Sequence, residues 1–576
     1  MINKIVKNVC LLVPMVICVN LFSFCHVNAE STYKNSDKDI VQMSANVESK
    51  TKYSEYINKY GKLNSKATEI KLSDNEAKVY QAGSSAEYEL LNNEDALYNL
   101  EIDYVSKEKQ DIEISLVIDG NNPFEESKSL ILSTYWRDNG AVRIDGNGNE
   151  FAPEQAISED SVNVLLQDHT GEYWEPYLFY IPGGSHKISL VIEKGTVLIN
   201  KISLVPPENA DKYSIKKEDV LKSDKTDEIV TIEAEKAYLK SSASLIPMAD
   251  DSSKDINPSS AGKAVINYIG GSNWSDNNDT LEWKFNIKRT GYYKLGFVYR
   301  QNKNLGGVSY RYLKIDGETP FKEAKRIKFK YGANWQYMGF ADEGDDYWIY
   351  FKKGEHTLSL SVTAGELTDI YRRLNEVTAD LGDLYIDITM VVGETVDISR
   401  SYELFNQIPD FNERLKNAAE RLKGISSDLE TLQEKTGGSN VSTIGNAIEV
   451  INKMYENPYS AHKYKSAYYS AYTNLSALLG TITDMPLDID RIFFIGNGAE
   501  FKKPTASLFE KISFGFMRFI YSFASGYEPE KEEDALTIWV NWGRDQTQVL
   551  DSLIQSDFVK NYNIPVNVKL VNATLI

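Results

Sequence analysis

The sequence predicts a multidomain chain made of two all-β sandwiches, an α-helical bundle and the opening of an α/β unit. Three observations lead there. Short alternating strands with turn signals fill residues 61–207 and 229–364, and the two stretches repeat each other. From about Gly365 the apolar spacing changes from two to three or four. Beyond residue 535 the chain reads strand, helix, strand, and then stops.

The N-terminus carries Lys4 and Lys7, an apolar run over residues 9–24, and Val27-Asn28-Ala29. This order predicts a secretory signal over residues 1–29, with an uncleaved membrane anchor as the alternative. All three cysteines, Cys10, Cys18 and Cys25, lie inside it. A processed chain would hold no disulfide and no thiolate metal site, and would be secreted or held at the cell surface. The net charge of −20 and pI of about 4.9 argue against a nucleic-acid partner, whose backbone demands clustered Lys and Arg. A neutral ligand is not opposed by that charge.

Residues 30–60 are polar and read as a linker. The first sandwich then runs through LYNLEIDYV, IEISLVIDG, HKISLVIEK and VLINKISLV to Pro206-Pro207. A charged linker is expected over 208–228. The second sandwich contains TLEWKFNI, GYYKLGFVYR, SYRYLKIDG and HTLSLSV. Residues 117–127 parallel residues 314–324, pairing Asp119 with Asp316, Gly120 with Gly317 and Phe124 with Phe321. His186 and His356 also correspond. Shared turn residues imply a shared turn.

Leu367, Ile370, Leu374, Val377, Leu381 and Leu384 then recur at helical spacing. Further helices are expected over 411–434, 441–455, 462–483 and 507–523. The bundle so defined covers 365–525 and stands after the second sandwich. Helix 507–523 is apolar around most of its girth, and burial in the bundle is the reading adopted, with a membrane face or a partner as the other use. GYEPEKEED, 526–534, reads as a linker, and 535–576 as an incomplete lobe.

Two resemblances sharpen this. The stretch WVNWGRDQ, the helix after it and the NATLI strand resemble the first β–α–β unit of family 1 extracellular solute-binding proteins of ABC sugar importers. That resemblance implies a truncated start of an α/β periplasmic-binding-protein-like lobe, and an ABC permease as partner of a full-length protein. IEAEKA at 232–237 and the segment 264–300 resemble carbohydrate-binding modules of families 6 and 35. This implies jelly-roll sandwiches of the galactose-binding-like kind, with an oligosaccharide or polysaccharide as ligand. The family's closing strand is not evident in the sequence, where a long helix stands instead.

A sugar site needs a flat aromatic ring for the C–H face and amide or carboxylate partners for the hydroxyl rim. Trp274 with Asn273 and Asp276, Trp335 with Asn334, and Trp136 in the first sandwich are candidates. Each tryptophan has the competing reading of a core residue. In the terminal unit, Trp542 and Arg544 fall in the loop that lines the ligand cleft of the resembled family, and Trp539 reads as core. The E-A-E resemblance makes Glu233 and Glu235 candidate ligands of a structural calcium, against ordinary strand carboxylates. No other cofactor is expected. G-x-S-x-G, P-loop and H-E-x-x-H motifs are absent, so no enzyme is expected. The alternative function is a structural or adhesive surface protein.

Overall fold

The computed structural model describes residues 51–63, 67–72, 77–144, 148–304, 307–342, 344–433, 437–524, 535–542 and 544–570. The predicted signal and most of the first linker lie outside these residues. The molecule is a multidomain assembly of β-sheets with one helical region.

In the first sandwich, strand Gly184–Lys194 sits between Ser85–Asn92 and Ile112–Ile118, with Leu130–Leu132 beyond. Its Ile188, Leu190 and Ile192 alternate inward, as a half-buried strand requires. Strand Ala96–Ser106 anchors the facing sheet and contributes Leu100, Ile102 and Tyr104. The core between the sheets also takes Tyr53 and Tyr56 of helix Tyr53–Tyr60. This corrects the linker expected there. The helix escapes a hydrophobic scan because tyrosines carry its apolar face. Their hydroxyls accept hydrogen bonds from the backbone N–H groups of Leu178 and Tyr180, at 3.0 and 2.7 Å.

The repeated turn has the same backbone and the same aspartate–histidine contact in both copies. Asp119 and Asp316 take left-handed φ values of 50° and 52°, each followed by a glycine near 80°. Each carboxylate meets a histidine Nδ1 at 2.6 Å, His186 in one copy and His356 in the other. The second carboxylate oxygen accepts the N–H of Lys187 or Thr357 at 2.8 Å. The two histidines thus staple a strand to a turn. In the second copy, burial works against the charged ring, but Asp316 and the Lys352 carbonyl outweigh it and raise the His356 pKa.

Residues 208–228 are not a free linker. Tyr213 packs its ring on Phe321 and Tyr347, and Val220, on helix Lys217–Lys222, is buried with Thr226. They strap the second sandwich. One of its sheets is extended by strands from the first: Trp136–Asn139 pairs both Glu154–Ile157 and Leu239–Lys240. Lys240, fully buried, ion-pairs with Asp138 across this seam.

The other sheet holds the main correction. Its central strand is Leu487–Gly496, which returns to the sandwich after the helices. It pairs with Ile229–Glu233, Ile266–Gly271 and Gly291–Gln301. The closing strand missing from the sequence reading is therefore present, and the bundle is an insertion within the sandwich. Helices Leu367–Val392, Phe411–Gln433, Ser439–Glu456 and Lys465–Leu479 form that insertion. Their apolar stripes and the sandwich interior make one continuous core.

Helix Leu508–Ala524 stands outside the bundle, with most of its large apolar side chains exposed. This overturns the expected burial. In the terminal unit, Leu536–Val540 and Val566–Leu570 pair in parallel, with helix Arg544–Leu553 between them in the chain. Trp539, expected in a core, is exposed, because two strands alone leave a sheet face uncovered.

Phe494 is fully buried and stacks on Phe285 at 4.2 Å in the shared core. Phe494→Ala should cost about 3–5 kcal/mol. Scanning calorimetry should show the sandwich and the bundle losing stability together in one transition rather than in two.

Candidate functional site

Beside the second sandwich lies a recess of about 580 Å³. Its wall is built by strand Gly332–Gly339 and the loop after Pro247–Ala249, and helix Leu508–Ala524 covers it. Asn334 and Trp335 line it, together with Ser252, Ser253 and Arg300. Two residues singled out from the sequence thus meet here. Arg300 had no signal of its own, since it ends an ordinary alternating strand.

The recess is organised by one buried charge network. Arg300 donates from Nε to Asp488 at 2.7 Å and from Nη1 to Asp250 at 2.5 Å. Trp335 donates its indole N–H to the same Asp250 oxygen at 2.9 Å, and the guanidinium stacks 4.7 Å from the indole centroid. Burial opposes the Asp250 charge, yet Arg300, Ser252 and Trp335 together hold its pKa below the ordinary range. Burial likewise opposes the Arg300 charge, and Asp488 and Asp250 outweigh it. Trp335 is only 5% exposed and packs on Tyr268 in a small core cluster, so burial corrects the sugar-stacking expectation for it as well. Asn334 is exposed. The lining is mixed: Lys511 pairs with Asp255, Arg518 with Asp251, and Lys254 donates to the Ser259 hydroxyl, beside the Asn334 amide, the serine hydroxyls and the rings of Phe514 and Phe519. The neutral groups among these suit the hydroxyls and apolar face of a sugar.

The other candidates are not brought to this place. Trp274 is 0% exposed: Arg311 lies 4.0 Å over its ring and the Asp279 carbonyl accepts its N–H. It is a core residue and cannot stack a ligand from solvent. Asn273 and Asp276 sit in its loop, which is a joint: the neighbouring Asn277 and Asn278 donate to the Asp168 carbonyl of the first sandwich. Trp136 is buried at the seam between the sandwiches. Burial in these two cases corrects the sugar-stacking expectation, because a sheet joint seals its aromatics. Trp542 is 53% exposed and stands in the terminal unit. Arg544 opens the helix after it, and its side chain lies outside the described residues.

The calcium expectation is not supported by the geometry. Glu235 is buried with an unpartnered Oε2, the kind of atom a cation would satisfy. Its neighbours are already committed, however. Glu233 pairs with Lys236, and Asp490 with Arg491 and the Asn257 N–H. Among the described residues no group of three or more His, Cys, Asp or Glu side chains is arranged to hold a metal ion. Burial first, with Glu233 and Asp490 adding, pushes the Glu235 pKa up to about 8. Glu235 therefore stays protonated at neutral pH.

Against this geometry stand the comparisons. Residues 369–487 match the family model of the bacterial solute-binding protein 4-helix bundle domain. The match supports a solute-binding protein. No curated protein matches the chain. Similar solved structures include a cycloisomaltooligosaccharide glucanotransferase from Paenibacillus sp., complexed with cycloisomaltoheptaose. It is 20% identical over 24% of this chain and 16% of that one, with a TM-score of 0.18. A β-glucosidase from Paenibacillus barengoltzii is 11% identical over 30% and 12%, at 0.14. A family 35 carbohydrate binding module from an environmental isolate is 15% identical over 20% and 72%, at 0.14. The chain thus spans less than a fifth of the first two.

The raised Glu235 pKa has a definite sign. Above its ordinary carboxylate range the unfolded chain ionises while the folded one keeps the proton, so stability falls as pH rises toward 8. Glu235→Gln should lose less stability than the parent between about pH 5 and 8, as read by urea denaturation at each pH.

Proposed function

We propose that this chain is a non-catalytic carbohydrate-binding protein of the solute-binding kind, secreted or held at the cell surface. One observation carries the reading. The recess combines the neutral hydrogen-bonding groups of Asn334, Ser252 and Ser253 with the rings of Phe514 and Phe519, while its buried guanidinium, Arg300, is paired with Asp250 and Asp488. Such a lining favours hydroxyls over ions, because every buried charge already has its counter-ion. The 4-helix bundle match supports the solute-binding part of the reading.

The terminal β–α–β unit belongs to a substrate-capturing lobe, and the permease of an ABC importer is its partner. The two sandwiches, joined by a shared sheet and the Lys240–Asp138 pair, hold glycan near the membrane. Binding is an equilibrium: ring contacts supply the apolar part, and Asn334 with the serines reads the hydroxyl rim.

A glycan array followed by calorimetric titration tests this. Asn334→Ala should weaken binding of the captured sugar by about 2- to 10-fold, the worth of one neutral hydrogen bond. Asn273→Ala, in the joint loop, should leave affinity unchanged. Retention of no glycan, or equal effects of the two variants, would remove the assignment of the recess.

A further inference from the structure

The two sandwiches match beyond their shared turn. In each, a tyrosine ahead of the strands straps the sheet. Tyr53 donates its N–H to Glu126 at 2.9 Å, and its hydroxyl accepts the Leu178 N–H at 3.0 Å. Tyr213 does the same with Glu323 at 2.9 Å and Trp348 at 3.0 Å. The first ring packs on Phe124 and Tyr177, the second on Phe321 and Tyr347. In this register Leu97 and Tyr180, opposed across two strands, correspond to Tyr292 and Tyr350, opposed in the same way.

Beyond the strap the copies differ. In the first, the chain goes on as helix Tyr53–Tyr60 and lays the Tyr60 ring flat on Tyr180, with 4.2 Å between centroids and 10° between planes. In the second, the chain turns away to Asn497, which donates to the Val220 carbonyl at 3.0 Å. Tyr350 is therefore left 53% exposed. Tyr292 stands where the first copy has the buried Leu97, and its ring lies 5.2 Å from that of Tyr350 at 65°. Neither hydroxyl has a hydrogen-bond partner among the described residues. Two residues further along each strand, on the same face, stand Lys294 and the half-buried Trp348, and Lys294 pairs with Asp346 at 2.7 Å.

We propose that Tyr292 and Tyr350 form a second saccharide-binding site, apart from the recess at Asn334. The first sandwich shows what this position accepts: one flat, hydroxyl-bearing ring laid on the tyrosine. A pyranose from solvent has that form, with a C–H face for Tyr350 and hydroxyls for the Tyr292 phenol and the Lys294–Asp346 pair. The pair is internally neutral, so an uncharged sugar is not opposed. A helix like Tyr53–Tyr60 fits less well, because the larger Tyr292 ring rises at 65° where a leucine stood and walls the ledge into a corner for one ring. Tyr292 and Arg300 both face outward on strand Gly291–Gln301, about 25 Å apart at roughly 3.3 Å per residue. One polysaccharide chain can then engage the corner and the recess together and gain from effective concentration. The inference rests on the carbohydrate reading but not on the recess.

Affinity electrophoresis of the full chain in native gels cast with laminarin, xylan, dextran or galactomannan tests it. At least one polysaccharide should retard the parent. Tyr350→Ala and Tyr292→Ala should each weaken that retardation by about 2- to 10-fold, the worth of one ring contact. Tyr350→Phe, which keeps the ring, should lose less than Tyr350→Ala. Tyr459→Ala, at an exposed ring on the bundle, should match the parent. If Asn334→Ala weakens retardation while both tyrosine-to-alanine variants match the parent, the recess stands and the second site is overturned. Retardation by none of these polysaccharides overturns it too. So does a peptide of residues 51–62, or a second copy of the chain, that binds the parent and not Tyr350→Ala in analytical ultracentrifugation while no polysaccharide is retained.

Discussion

The structure turns on the pairing of Leu487–Gly496 with three strands that precede the bundle. This strand is buried on both faces apart from Arg491. It supplies Phe494 to the shared interior and Asp488 to Arg300. The recess and the helical insertion are both hung on it. Its apolar positions gain from removal from water in proportion to area. Its acidic positions each meet a guanidinium, Arg300 at Asp488 and Arg491 at Asp490, although burial still pushes the Asp490 pKa up to about 7.

A second theme is the stacking of arginine on tryptophan in two clusters. Arg300, Trp335 and Asp250 form one, with the indole N–H and the guanidinium sharing a single oxygen. Arg311 and Trp274 form another, wholly enclosed, in which main-chain carbonyls replace the carboxylate: Asp279 O accepts the indole N–H, and Tyr310 O and Trp274 O accept from Arg311. The first opens onto a recess and the second does not. Composition around the two tryptophans is similar, with asparagine and aspartate close by, so local sequence does not separate site from core. What separates them is which loop another part of the chain covers. The Trp274 loop is sealed by the first sandwich through Asp168, and the Trp335 strand faces only a helix.

Local patterns were legible. Strand alternation, the change to helical spacing near Gly365 and the repeated Asp-Gly turn each have a short-range physical cause, and the structure displays those causes directly. What stayed hidden was non-local. Leu487–Gly496 reads after Pro486 as apolar residues broken by Asp488, Asp490 and Arg491, and nothing within ten residues announces that its partners lie at or before residue 301. Helix Tyr53–Tyr60 hides its apolar face behind phenol hydroxyls that satisfy backbone N–H groups. Helix Leu508–Ala524 looked like a buried helix because an apolar girth is the signal of a protein interior. Of the candidate site residues, only Asn334 and Trp335 were gathered in one recess, since proximity across loops is set by packing rather than by composition.

The insertion of the bundle also governs the order in which the molecule can be made. Ile229 meets Ile495, so the sheet waits for everything between them. A chain emerging N-terminus first exposes the unpaired edges of Ile266–Gly271 and Gly291–Gln301 through the whole synthesis of the helices. Local helix formation is fast and sheet closure across so long a loop is slow. The helices therefore act as a folded bracket that brings residue 487 back near residue 363, shortening the effective loop before the sheet zips shut.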